Sequence, residues 1–155
     1  MQQENGFDIR RLLAGARALQ NGDFSYRVQL SDAAGPWVRE TAQAMNATLE
    51  MLNRFTSEVV RITGELGAQG RLGGQAEVQG AGGTWWTMLN ALNDLEERVT
   101  GQVRNLSGVC RQLRTGDLSA KVTCNGCGGE FAELSEHVNA LADPLREREG
   151  APAGT

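Results

Sequence analysis

Four residues in the last third of the chain have types that bind metal or exchange electrons: Cys124 and Cys127 in a Cys-Asn-Gly-Cys spacing, Cys110, and His137. A Cys3His set would suit tetrahedral Zn2+, and the spaced thiol pair would suit thiol–disulfide exchange. An internal overlay of the chain gives a plainer reading. Cys124 aligns with Leu30 and Val78, Cys127 with Ala34 and Ala81, and Cys110 with Ala16 and Gly64, so each thiol fills a small or apolar slot. His137 aligns with Ala44 and Ala91 and reads as a solvated helix residue. A Cys-based metal or redox sensor therefore stands as the alternative, with no metal expected. The glycines at 70, 73, 74 and 80–83 suggest a phosphate loop, yet no Gly-Lys-Ser/Thr follows and no strand precedes. No paired carboxylates, nucleophile triad or nucleotide signature is present, so the chain is expected to be no enzyme and to carry no cofactor.

Composition narrows the partners. A net charge of -4 over 155 residues, with no Lys/Arg run, leaves no footprint for nucleic acid or an anionic membrane surface. Apolar runs fall far short of the roughly 20 residues that span a bilayer, so no membrane insertion is expected. The start MQQENGFDIRR lacks a signal-peptide core, and an odd cysteine count fits reduced thiols in a cytoplasmic setting.

The elements that position these residues follow from apolar spacing. Trp85, Leu92, Val99, Leu106 and Leu113 lie seven apart, as do Val38, Met45, Leu52, Val59 and Leu66, and Phe131, Val138 and Leu145. On helices each series draws one seam, and five such side chains buried would contribute on the order of 10 kcal/mol, so partner helices are required. Asp8 reads as the cap of a first helix with Ile9, Leu12, Ala16 and Leu19 inward, following a frayed Met1 to Gly6. Helices are then expected from Trp37 to about Gly64 or Ala68, from Thr84 to Leu113, and from Glu130 to about Ala142. Asp143-Pro144 is expected to break the last, leaving GAPAGT disordered.

Turn glycines Gly22, Gly70 and Gly116, and asparagines Asn46, Asn93 and Asn139, superpose three copies of one unit at spacings of 46–48 residues. Each copy reads helix, glycine turn, connector, helix. Apolar residues fall two, six and eight after the glycine: Phe24, Val28 and Leu30; Leu72, Ala76 and Val78; Leu118, Val122 and Cys124. A connector of some 14 residues can span about 45 Å, enough to return along a helix and let both helices of a unit run parallel. The asparagines, each placed just after a connector, are expected to bond its backbone. Two helices make a small core, so a second copy is expected to complete a four-helix bundle. Within the Thr84 to Leu113 helix, Met88 and Leu95 follow the seam by three and Val103 and Cys110 by four, a stutter that would locally unwind a coiled coil.

These residues resemble the HAMP domain, the parallel coiled-coil relay of histidine kinases and chemoreceptors. GDFSYRV and GDLSAKV look like its connector start, and VRETAQAMNATL and FAELSEHVNAL resemble its second helix. LGGQAEVQGAGGTWWTMLNALNDL is similar to the alternate-type unit of tandem HAMP arrays in soluble hybrid histidine kinases, including osmosensing ones. The family's acid-glycine pair is replaced by Gly35-Pro36, Gly82-Gly83 and Gly128-Gly129-Glu130. The resemblance implies an all-α homodimer of three stacked units, 8–54, 55–100 and 101–149, with a tail at 150–155. Its dimer core would be Val38, Met45, Leu52, Val59, Leu66, Trp85, Leu92, Val99, Leu106, Leu113, Phe131 and Val138. Connector packing would fall to Phe24, Val28, Leu30, Leu72, Val78, Leu118 and Val122. The expected function is a non-catalytic signal relay of two-component type, acting as a homodimer or in trans on a full-length poly-HAMP kinase or transducer. A purely structural dimerisation rod is the remaining alternative.

Overall fold

The structure, a computed structural model, describes residues 2–124 and 128–150. Cys127 and the tail from Ala151 lie outside the described residues. Four α-helices follow one another: α1 (Gln2–Asn21), α2 (Pro36–Thr63), α3 (Thr84–Arg114) and α4 (Glu130–Gly150). A π-helical turn, Gly64–Ala68, extends α2. No strand is present among the described residues. The chain divides into two compact units, Met1–Asn93 and Asp94–Thr155.

Each helix end has a local cause. Gly35 is extended and Pro36 begins α2, where the missing N–H removes a donor that the first turn would leave unpaired. After α1 and α3, Gly22 and Gly116 take φ of 74° and 91°, and the next residue reaches back in a Schellman cap: Asp23 N to Ala18 O and Asp117 N to Gln112 O, 2.9 and 3.0 Å. Both aspartates then close an identical turn, accepting from Ser25 or Ser119 through N–H and hydroxyl. Gly70 has φ of 62°, but here the bond runs from Arg71 N to Glu65 O, one residue wider, because the preceding turn is π-helical. Such a turn fits a sequence with glycine at 64 and 67, where no Cβ resists the widening.

In the first unit the contacts set the direction of every segment. Asp8 of α1 accepts from Ser31, and Gly15 lies against Val28 and Met45, so the connector runs back along α1. Arg39 acts electrostatically on Asp8 while Met45 meets Gly15, so α1 and α2 are parallel. Leu12, Val28, Val38 and Ala42 form the first core, joined by Tyr26, Leu30, Ala34 and Met45. A second core repeats it with Ile62, Ala76, Val78 and Leu89, joined by Met51, Phe55, Ala81 and Leu92. Phe55 reaches the Trp85 ring at 5.5 Å, and Thr56 is exposed. In the second unit Glu96, Thr100, Val109, Val122, Ser135 and Ala142 are buried.

Four expectations are corrected. Asp8 does not cap α1, which begins six residues earlier; its carboxylate is buried at 1 % exposure, accepting from Ser31 N at 3.0 Å and Ser31 Oγ at 2.7 Å. Pro144 does not break α4, which runs to Gly150 and so takes in the first residue of the expected tail. The ring removes one donor, but the carbonyl it would have served belongs to exposed Ala140, and buried Ala142 anchors the preceding turn. Met88 and Leu95 are not the buried partners of the middle seam: they are 46 % and 55 % exposed, whereas Leu89 and Glu96, one residue on, are 2 % and 3 % exposed. Val103 and Cys110, the expected partners farther along, are exposed as well, while Thr100 and Val109 are buried. Cys124 is disulfide-bonded rather than reduced, and Cys110 is a free, exposed thiol.

Asp8 gives a pH signature. The Ser31 backbone N–H, then its hydroxyl, hold the carboxyl below its ordinary value of 3.8, so its contribution is present above that value and is lost as pH falls through the lower, folded-state value. Thermal midpoints should therefore be lower for Asp8→Ala than for the parent at pH 7, with the gap closing on acidification below about pH 4. Gly15 supplies a steric test: a Cβ there would fall well inside contact with Met45 Sδ and Val28 Cγ2. Gly15→Ala should cost about 1–3 kcal/mol in denaturant unfolding, despite its gain in helix propensity.

Candidate functional site

The repeated feature with defined chemistry is an amide clamp on each connector. Asn46, on α2, accepts from Val28 N at 2.8 Å and donates to Val28 O at 3.0 Å. Asn93, on α3, treats Ala76 alike at 2.8 and 3.1 Å. Asn139, on α4, does so for Val122 at 2.9 and 3.0 Å. A carboxamide offers one acceptor and two donors on a single plane, so it satisfies both peptide groups of one residue, as a neighbouring strand would. In each case that residue is buried and lies six after the turn glycine.

Around the clamp the copies differ. The second connector is also pinned by charge: Arg61 binds Glu58 at 2.7 Å, Glu65 at 3.2 Å and Gln75 O at 2.7 Å, while Glu58 accepts from Glu77 N at 3.2 Å. The Arg61 guanidinium first, then the Glu77 N–H, hold the Glu58 carboxyl below its usual range against partial desolvation. The third connector has a second amide, Asn105, which accepts from Thr123 N at 3.3 Å. Beside it the Cys124 sulfur lies 3.9 Å from Gln102 Oε1.

Helix, glycine turn, clamped connector and helix follow one another from α3 through α4, and residues 89–147 match the family model of the HAMP domain. These residues are a HAMP domain. Its first helix is the later part of α3, its connector carries the Val122–Asn139 clamp, and its second helix is α4. No solved structure matches the chain. A HAMP domain is a signalling linker with a relay role in signal transduction.

The heptad residues occupy a distinct position in this geometry. Met45, Leu52, Val59, Leu66, Trp85, Leu92, Val99, Leu106, Leu113 and Val138 are half-covered within the chain, Phe131 and Leu145 are exposed, and Val38 is buried. Val28, Val78 and Val122 are buried, while Phe24, Leu30, Leu72 and Leu118 are half-covered. The face buried inside the chain is instead the one at Ala42, Leu89 and Ser135, and at Leu49, Glu96 and Ala142. Sequence spacing could have found this face, since it lies four residues after each heptad position. Glu96 is its one charged member, with Thr100 Oγ1 donating to it at 2.7 Å. Among the described residues no group of three or more His, Cys, Asp or Glu could hold a metal ion, and His137 is exposed. Nor is any helix among them long and apolar enough to cross a membrane.

Truncating a clamp leaves two buried peptide groups unpaired. Asn93→Ala should cost about 2–4 kcal/mol by chemical denaturation, and Asn93→Asp, which keeps the acceptor and loses the donor, should fall between it and the parent.

Proposed function

We propose that the chain is a dimeric relay of three HAMP units in tandem, 8–54, 55–100 and 101–149, in which a second parallel copy covers the half-exposed heptad faces. The observation that carries this reading is the Asn46–Val28 clamp: it lies outside the matched segment and has the same two bonds as the clamp inside it. Equal chemistry at equal spacing supports equal units.

The need for a second copy is energetic. In the HAMP domain, Gln102, Val103, Leu106, Val122, Phe131, Leu134 and Ser135 line a cavity of about 40 Å3, with Val103, Phe131 and Leu134 exposed at its rim. Two helices and a connector cannot enclose such residues, and at about 25 cal/mol per Å2 of apolar surface their burial favours closure by a second pair of helices. Signal would pass as a rotation or shift of the paired helices between two packings, through α3, which is continuous from Thr84 to Arg114, and along α4, which stays helical past Pro144. The relay is non-catalytic and cytoplasmic in this reading.

In a background lacking Cys110, Cys124 and Cys127, Val99→Cys should give a disulfide-linked dimer across the symmetry axis on mild oxidation. Monomeric mass in solution together with no crosslink would overturn the parallel dimer. Leu106→Asp should dissociate or unfold the protein, whereas exposed Glu97→Ala should stay within about 0.5 kcal/mol of the parent.

A further inference from the structure

The positions twelve and five residues before each turn glycine carry a charge pattern that the relay reading does not use. They hold Arg10 and Arg17 before Gly22, Glu58 and Glu65 before Gly70, and Arg104 and Arg111 before Gly116. Seven residues apart on a helix, each pair stands on one face about 10 Å apart. The structure opens a groove beside both arginine pairs. Arg10 and Arg17 line one of about 450 Å3, shared with Tyr26 and Asp23. Arg104 and Arg111 line one of about 440 Å3, shared with Lys121 and Gln112, and no carboxylate is among the described residues lining it. The glutamate pair is engaged within the chain by Arg61.

We infer that the groove of Arg104, Arg111 and Lys121 is a binding site for a small phosphate-bearing anion. Three cations from two elements, the later part of α3 and the connector, converge on one open groove of a protein whose net charge is -4. Planar guanidinium forks pair bidentately with phosphate oxygens, and an ammonium adds a point charge. Arg104 is itself held by an interaction within the protein, and five N–H donors leave it others to offer. The equivalent groove on α1 is the weaker version. Asp23 lines it, and Arg27, the counterpart of Lys121, spends a guanidinium nitrogen on Phe24 O and Tyr26 O at 2.8 Å each. The second copy reverses the sign and has no such site. The groove lies within one chain and needs no second copy to form.

The test is a titration of the 15N-labelled full chain with sodium pyrophosphate at low ionic strength, against sodium chloride of matched ionic strength. Amide shifts should centre on Gln112 and Lys121 and saturate with a midpoint on the order of 1 mM, as suits a solvated ionic site. Arg104→Glu with Arg111→Glu installs the pair that the second copy carries at these positions, and should raise the midpoint at least about tenfold. Should that variant lose helicity by circular dichroism, Lys121→Glu reads the same groove from the connector. Flotation with phosphatidylcholine vesicles containing phosphatidic acid separates the two sources of phosphate. Pyrophosphate shifts without flotation assign a soluble anion, and flotation abolished by the charge reversal assigns a lipid headgroup. Shifts that chloride reproduces, an unchanged midpoint in the charge-reversed variants, or no response in either arm would overturn the site.

Discussion

Everything in this structure depends on how a glycine-rich connector satisfies its backbone while running alongside helices. Such a segment has no ladder, yet it must turn apolar side chains inward, which takes the neighbouring peptide groups out of water. Each buried group left unpaired would cost about 1–3 kcal/mol. One asparagine per connector lowers that cost by bonding both peptide groups of one buried residue. The clamp also fixes register. With Val28, Ala76 or Val122 held at a set height on the helix, Leu30, Val78 and Cys124 follow two residues on, and the helix face at Ala42, Leu89 or Ser135 closes over them. What remains on the helices is a heptad face that its own chain covers only in part, and this surface is what a relay needs.

The copies share that solution and differ in its chemistry. The first and third end their leading helix in a Schellman cap and an aspartate–serine turn, both local and insensitive to their surroundings. In the second, the π-helical turn replaces the cap, and Arg61 ties two glutamates and a connector carbonyl together. Exposed ion pairs weaken as salt screens them, whereas a buried amide pair does not. The second connector is therefore the one whose hold changes with ionic strength.

Much of the fold was legible because its signals repeat. The seven-residue spacing marked the helices, and the asparagines marked the three clamped connectors, since the same two bonds recur at each. The misreadings arose where one residue type serves two geometries. A carboxylate near a chain start suits a helix cap, but Asp8 finds Ser31 twenty-three positions away, a pairing no local pattern displays. Met88 and Leu89 both fit a heptad, and only the connector packed against them decides which is buried. Proline usually stops a helix, yet Pro144 is accommodated where the orphaned carbonyl belongs to an exposed alanine. Nothing local marks Gly15 of α1, because its necessity comes from Met45 and Val28, which reach it from elsewhere in the chain. The arginine pairs were invisible to a search for basic runs, because seven-residue spacing gathers charge on a helix face without gathering it in the sequence.

The most direct measurement of the central claim is amide hydrogen exchange of the native protein at Val28, Ala76 and Val122, read residue by residue by NMR. These three N–H groups lie in segments with no helix or strand, and each donates to an asparagine. The account predicts that they exchange as slowly as the interior amides of α2, while their connector neighbours exchange fast. Uniformly fast exchange along all three connectors would contradict it.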